Sequence, residues 1–255
     1  MPSLKITGRG AEKVLVLPGL FGANGIFDES FRYADLERFQ FVILEYRGFG
    51  SAKFEPGLYT FREVVIEAVR LLDYLGWSKS HVMGHSVGAL AAQMIAVAAP
   101  ARVTSIVSLA GLTAKGATYD EVRLRSLTEA ATDVEKRVAI IHASLGRRYT
   151  NAVAQAIAGL CVGGIAPVAL AKYAEDAMST DIQHLVEGSL VPMLAIVGKH
   201  DPIYNERVTR ETTLKLYRNA VLQVIDAGHY PMIECPALTM SLVEQFLLQI
   251  SQPKH

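Results

Sequence analysis

The sequence predicts an α/β fold: a mostly parallel, doubly wound sheet interrupted by an all-helical insertion. Three observations predict it. Short apolar runs alternate with helical patterns along the chain. The runs are predominantly apolar, as in strands covered on both faces. One long stretch, 113–188, carries helix starts and no clear strand.

The elements follow in order. Val14–Leu17 is an apolar run stopped by Pro18-Gly19, and Phe41–Leu44 is a second, ended near Arg47-Gly48. Thr60-Phe61-Arg62-Glu63 has the capping-box pattern, and Val65, Val69, Leu72 and Leu75 follow at helical spacing. His81–Met83 runs into Gly84, and Val87–Ala99 behind it is apolar nearly all round, a buried helix stopped by Pro100. Val103–Leu109 ends at Ala110-Gly111. Thr118-x-x-Glu121, Thr132-x-x-Glu135 and Thr180-x-x-Gln183 mark helix starts in the insertion. Strands then resume with Pro192–Val197 and Val221–Ile225, separated by one helix over Glu206–Tyr217 and followed by another over Ala237–Ile250. Residues 1–112 and 189–255 are expected to form the core, and 113–188 a helical cap.

Composition narrows the function. The 255 residues are 51% hydrophobic and 20% charged, with 25 basic side chains against 25 acidic ones. That is a chain able to bury a large core, not a disordered one. Zero net charge gives no drive toward nucleic acid, which favours a basic face. Cys161 and Cys235, the two cysteines, make no disulfide framework. The start, Met1-Pro2-Ser3-Leu4-Lys5, lacks the basic-then-apolar form of a signal peptide, and no run of about 20 apolar residues suggests a membrane span. A cytoplasmic protein is expected.

Gly84-His85-Ser86-Val87-Gly88 fits G-x-S-x-G between a strand and a helix. A nucleophilic serine needs such a sharp turn, with small neighbours where strand and helix crowd. It also needs a base, and an acid to hold the base in one tautomer. Of seven histidines, His81 lies in a strand, His142 and His184 in the insertion, and His255 at the terminus; His85 adjoins the serine and is expected to turn away. His200 and His229 remain, and His229 follows the last strand directly, on the carboxyl-end rim where sites of open parallel sheets lie. Asp201, in Gly198-Lys199-His200-Asp201-Pro202, is the expected acid; Asp226 is its rival. The backbone N–H groups of Leu20 and Val87 are the expected oxyanion donors.

Together these residues resemble the α/β-hydrolase superfamily over nearly the whole chain. The most specific segments are Gly84–Gly88, Gly198–Pro202 and Gly228-His229-Tyr230-Pro231-Met232-Ile233-Glu234. Glu45-Tyr46-Arg47-Gly48-Phe49-Gly50 looks like the family's D-x-R-G-x-G turn with glutamate for aspartate, and Pro18 stands where members usually carry histidine. The stretch before Val14 is short for the family's opening strands. The resemblance implies a Ser86–His229–Asp201 hydrolase acting on a carboxylic ester, thioester or lactone, with no metal or organic cofactor. Serine at position 86 speaks against the dehalogenase and epoxide-hydrolase branches, which carry aspartate there. Tyr230 after the base departs from the tryptophan common in carbon–carbon hydrolases.

The cap is expected to supply most of an apolar or aromatic pocket, with Phe21, Leu160, Ile165, Tyr173 and Tyr230 lining it for a small acyl substrate. Cys161, Val162 and Met178 add to its apolar content, and the glycines of Gly159–Gly164 offer a bend. A C–C hydrolase, lyase or non-hydrolytic tailoring enzyme using the same three residues is the alternative, and a ligand-binding receptor of this fold a third reading. The letters leave the oligomeric state open.

Overall fold

The computed structural model describes residues 3–22, 25–118, 120–161 and 164–252. Seven strands build one sheet: β1 (Leu4–Gly8), β2 (Glu12–Leu17), β3 (Phe39–Leu44), β4 (Ser80–His85), β5 (Val103–Leu109), β6 (Met193–Gly198) and β7 (Ala220–Ile225). Their order is β1-β3-β2-β4-β5-β6-β7. Only β1 runs antiparallel, pairing Leu4 with Leu44 and Gly8 with Gln40; the others are parallel. β1 escapes the sequence reading because none of its five residues is fully buried. An edge strand with one partner needs no continuous apolar run.

The central strands are buried as their composition requires. Val14, Leu15, Val16 and Leu17 have no exposed surface, and neither do Val82 and Met83. Helix Val87–Ala98 covers them and is itself buried along most of its length. The chain leaves β2 toward β3 on one side and later returns to lay β4 on the other. The carboxyl ends of β2 and β4 therefore flank a topological switch point, where open α/β sheets bind ligands.

Between β5 and β6 the described residues form five helices: Glu121–Glu129, Val134–Ser144, Asn151–Gly159, Pro167–Ser179 and Gln183–Val186. The first two start later than the threonine patterns indicate. Asp120 and Asp133 are the N-caps, each accepting from the amide three residues on. An aspartate carboxylate is as good an acceptor there and adds a charge favoured by the helix dipole. Thr180 starts no helix: it is the C-cap of helix Pro167–Ser179, and Ile182 precedes the last of these helices. Thr60 does cap helix Phe61–Tyr74, accepting from the Glu63 amide at 3.2 Å. The single helix expected over Glu206–Tyr217 is two, Glu206–Glu211 and Thr213–Leu216, broken at Thr212 (φ −124°, ψ −77°).

Helix Pro167–Ser179 fastens the insertion to the core. The Tyr173 ring lies 5.6 Å from each of Tyr46, Phe49 and Phe61. Asp176 Oδ2 accepts from the Phe61 amide at 2.7 Å. The Ala166 amide donates to the Gly48 carbonyl at 2.8 Å and Gly164 accepts from Gly50 at 3.2 Å. Of the glycine-rich bend, Val162 and Gly163 lie outside the described residues. Among the described residues no helix is long and apolar enough to cross a membrane.

Candidate active site

Ser86 sits at the carboxyl end of β4, with φ 54° and ψ −122°. A side-chain-bearing residue at positive φ is strained by roughly 1–3 kcal/mol, and surrounding contacts must hold it there. They do: the Ser86 amide donates to Leu109 at 3.0 Å, and its carbonyl accepts from Leu112 at 3.0 Å. The turn also requires close approach. A Cβ on Gly88 would collide with the Leu17 carbonyl, so only glycine lets the helix start meet β2.

Loops from three strand ends bring Ser86, His229 and Asp201 together. His229 Nε2 lies 3.1 Å from Ser86 Oγ. His229 Nδ1 lies 2.6 Å from Asp201 Oδ2. The other carboxylate oxygen of Asp201 accepts from the Ile203 and Tyr204 amides at 2.9 and 3.0 Å. Burial pushes the Asp201 carboxyl upward, but the His229 imidazole and these two amides outweigh it and hold the group below the ordinary aspartate range. Asp201 is therefore ionised, and the two contacts of the His229 ring place one nitrogen on the carboxylate and the other on the serine hydroxyl.

The backbone of His229 is braced on every side. Its N–H donates to the Ser144 carbonyl, from the insertion, at 3.0 Å. Its carbonyl accepts from His85 Nε2 at 2.8 Å. Glu234, with a side chain 1% exposed, accepts from the flanking Gly228 and Tyr230 amides at 2.7 and 3.0 Å. Arg148 bridges outward, 3.6 Å from Glu234 and 3.2 Å from Asp226. His85 is thus no bystander. Its Nε2 bonds to the His229 carbonyl and not to the serine hydroxyl, it borders the cavity, and its ring packs 5.0 Å from that of His229. Burial, and secondarily the neighbouring His229, push the His85 imidazole down to about 3. It is neutral, with Nε2–H donating to the His229 carbonyl.

The rivals considered from sequence pair with each other. His200 Nε2 lies 2.7 Å from Asp226 Oδ1, outside the Ser86 cluster.

A cavity of about 420 Å³ opens over Ser86. Leu20 and Val87 line it, and among the described residues neither amide has a protein acceptor. Leu20 and Phe21 are the central residues of a turn closed by Gly22 donating to Gly19 at 2.9 Å. Phe21, Tyr230 and Met178 line the cavity. Leu160, Ile165 and Tyr173 do not, which corrects the sequence expectation. Tyr173 is fully buried in the aromatic cluster, Ile165 bridges Phe49, and Leu160 ends helix Asn151–Gly159. Cys161 Sγ donates to the Phe21 carbonyl at 2.8 Å. That part of the insertion packs onto core loops; helices Glu121–Glu129 and Val134–Ser144 face the cavity instead. Sequence reasoning missed Arg123, Ser126 and Ser144 there. Among the described residues no group of three His, Cys, Asp or Glu side chains is placed to hold a metal ion.

Known proteins agree with this architecture. A carbamate hydrolase by name, RutD of Caulobacter vibrioides, is 34% identical over 103 residues, 40% of this chain and 38% of that protein. The chain therefore matches about two fifths of the length of the curated relatives. An enol-lactonase from Burkholderia xenovorans superposes with a TM-score of 0.82 at 22% identity, covering 96% of each chain. A hydrolase from Oleispira antarctica superposes at 0.83 with 17% identity, covering 97% of this chain and 94% of that one. At those identities the likeness is one of fold. The model of the alpha/beta hydrolase fold family matches residues 13–236, and the chain belongs to that family.

Proposed function

We propose that this protein is a serine hydrolase of carboxylic esters, thioesters or lactones, with Ser86 as nucleophile, His229 as base and Asp201 as the acid that orients it. One observation carries the reading: an unbroken hydrogen-bonded relay from Asp201 through His229 to Ser86, at 2.6 and 3.1 Å, with the serine on a strained turn. As Ser86 Oγ attacks the substrate carbonyl, its proton passes to His229 Nε2. The resulting oxyanion accepts from the Leu20 and Val87 amides. Collapse breaks the bond to the alcohol or thiol, which leaves with the proton from His229. Water then attacks the acyl-Ser86 ester, His229 taking its proton, and as the carboxylic acid departs His229 returns that proton to Ser86 Oγ. The apolar lining fits a small apolar or aromatic acyl group.

A second reading is favoured by the Caulobacter relative's name. A carbamate presents the same trigonal carbonyl to Ser86, and ammonia or amine release from a carbamate would distinguish it from ester cleavage.

The test is labelling with a fluorophosphonate alongside turnover of p-nitrophenyl acyl esters. The expected outcome is one adduct, on Ser86, and a Ser86→Ala variant slower by about four orders of magnitude or more. Folded protein that neither labels at Ser86 nor turns over any ester refutes the reading. Partial activity retained by Ser86→Ala on the true substrate would point instead to the three groups acting without acylation.

A further inference from the structure

Arg123 is the single Arg or Lys side chain among the described residues that line the cavity over Ser86. It is half-buried, on helix Glu121–Glu129. Among the described residues no carboxylate lies within salt-bridge distance of it; its one side-chain bond runs from Nη2 to the Tyr204 hydroxyl at 3.4 Å. A guanidinium carries five donors in a planar fork, and leaving them unpaired beside an apolar cavity is unfavourable. Ser126 and Leu127 also line the cavity. Spaced three and four residues from Arg123, they share one helix face with it. The Ser126 hydroxyl has no partner among the described residues. Tyr204 closes the arrangement from the core side: its amide holds Asp201, and its ring lies 5.6 Å from that of His229. One tyrosine ring thus separates the guanidinium from the catalytic imidazole. Besides Asp201, Asp120 is the acidic side chain lining this cavity. Its Oδ1 accepts from the Arg123 amide at the helix start, and the residue is exposed.

We propose that Arg123, with the Ser126 and Tyr204 hydroxyls, forms a carboxylate-binding subsite, so that the substrate is an ester or lactone bearing a free carboxylate beyond the scissile carbonyl. The inference rests on the hydrolase reading of the same cavity and narrows it to anionic substrates. The planar fork of arginine matches a carboxylate with two parallel hydrogen bonds. The apolar walls between the fork and Ser86 fit the intervening carbon chain, and strengthen the ion pair by excluding water.

The experiment compares monoethyl with diethyl esters of four- to six-carbon diacids, following acid release. The wild-type protein is expected to favour the monoester at the best-fitting chain length. In Arg123→Gln the monoester-to-diester ratio of kcat/KM should fall about 10- to 100-fold, chiefly through KM, as expected for loss of a charge-assisted pair. Arg123→Lys, which keeps charge without the fork, should fall between, and Arg123→Glu should invert the preference. A ratio equal in wild type and Arg123→Gln overturns the subsite while ester turnover and Ser86 labelling leave the hydrolase reading standing. If no ester is hydrolysed, calorimetry with glutarate decides the subsite separately. Binding weakened at least tenfold by Arg123→Gln supports it; equal or undetectable binding to wild type and variant overturns it.

Discussion

Replacing His85 by glutamine should flatten the acid sensitivity of the fold. His85 is 2% exposed and its imidazole is pushed down to about 3. In the unfolded chain a histidine titrates near 6.5. Below that value the unfolded chain takes up a proton that the folded one refuses, so stability falls with pH until about pH 3. The difference between pH 7 and pH 5 is about 2 kcal/mol from this residue alone, taking one and a half pH units below 6.5 at roughly 1.4 kcal/mol each. For a chain of this length that is about 4–8 °C in Tm. Glutamine keeps a donor able to reach the His229 carbonyl but does not titrate. His81 is also lowered by burial and contributes in the same sense to both proteins, so the comparison isolates His85. The assay is urea and thermal denaturation of wild type and His85→Gln at pH 7 and 5. Wild type should lose about 2 kcal/mol more than the variant over that interval. Equal losses would mean that His85 accepts a proton in the fold, and the neutral-donor assignment would fall.

Two further outcomes follow from the packing. Glu234→Gln cannot accept from both the Gly228 and Tyr230 amides, and it leaves Arg148 without a charge partner at that end; about 2–3 kcal/mol of stability and roughly 4–12 °C in Tm should be lost, with kcat reduced more than KM, and an unchanged Tm and kcat would show that the clamp is idle. Tyr173→Phe removes a hydroxyl that has no protein partner among the described residues; Tm should hold or rise by a few degrees and ester turnover stay within about twofold, whereas a large loss of activity would return Tyr173 to the pocket.

What the sequence carries legibly is whatever depends on neighbours along the chain. β5 matches its apolar run residue for residue, and the buried helix behind Ser86 ends one residue early. The Gly84–Gly88 turn is legible because crowding leaves glycine no alternative. Asp201 and His229 are legible because each follows a strand end, and strand ends share a rim. β1 is not, since an edge strand has no continuous apolar signature. The cavity wall is least legible. Tyr173, Ile165 and Leu160 are apolar and lie in the insertion, but which side of a helix faces the core loops and which faces Ser86 is decided by how the helices dock. Arg123 reads from sequence as one more surface charge on a helix, and only the docking brings it over the serine.

The same docking explains why the His229 loop is so heavily braced. Ser86 is fixed by the sheet: its amide and carbonyl bond to Leu109 and Leu112 at the end of β5. His229 has no such frame, because it follows β7, the last strand, at the sheet's edge. Its position is assembled from outside the strand: Ser144 of the insertion takes its amide, His85 of the nucleophile turn donates to its carbonyl, and Glu234 holds both neighbours. A Cβ at Gly228 would press on Leu145 Cα at 2.7 Å, so the insertion lies directly on the loop. The helices between β5 and β6 therefore contribute more than a wall. They hold the imidazole within reach of the serine, and a shift of helix Val134–Ser144 would move His229 together with the cavity it borders.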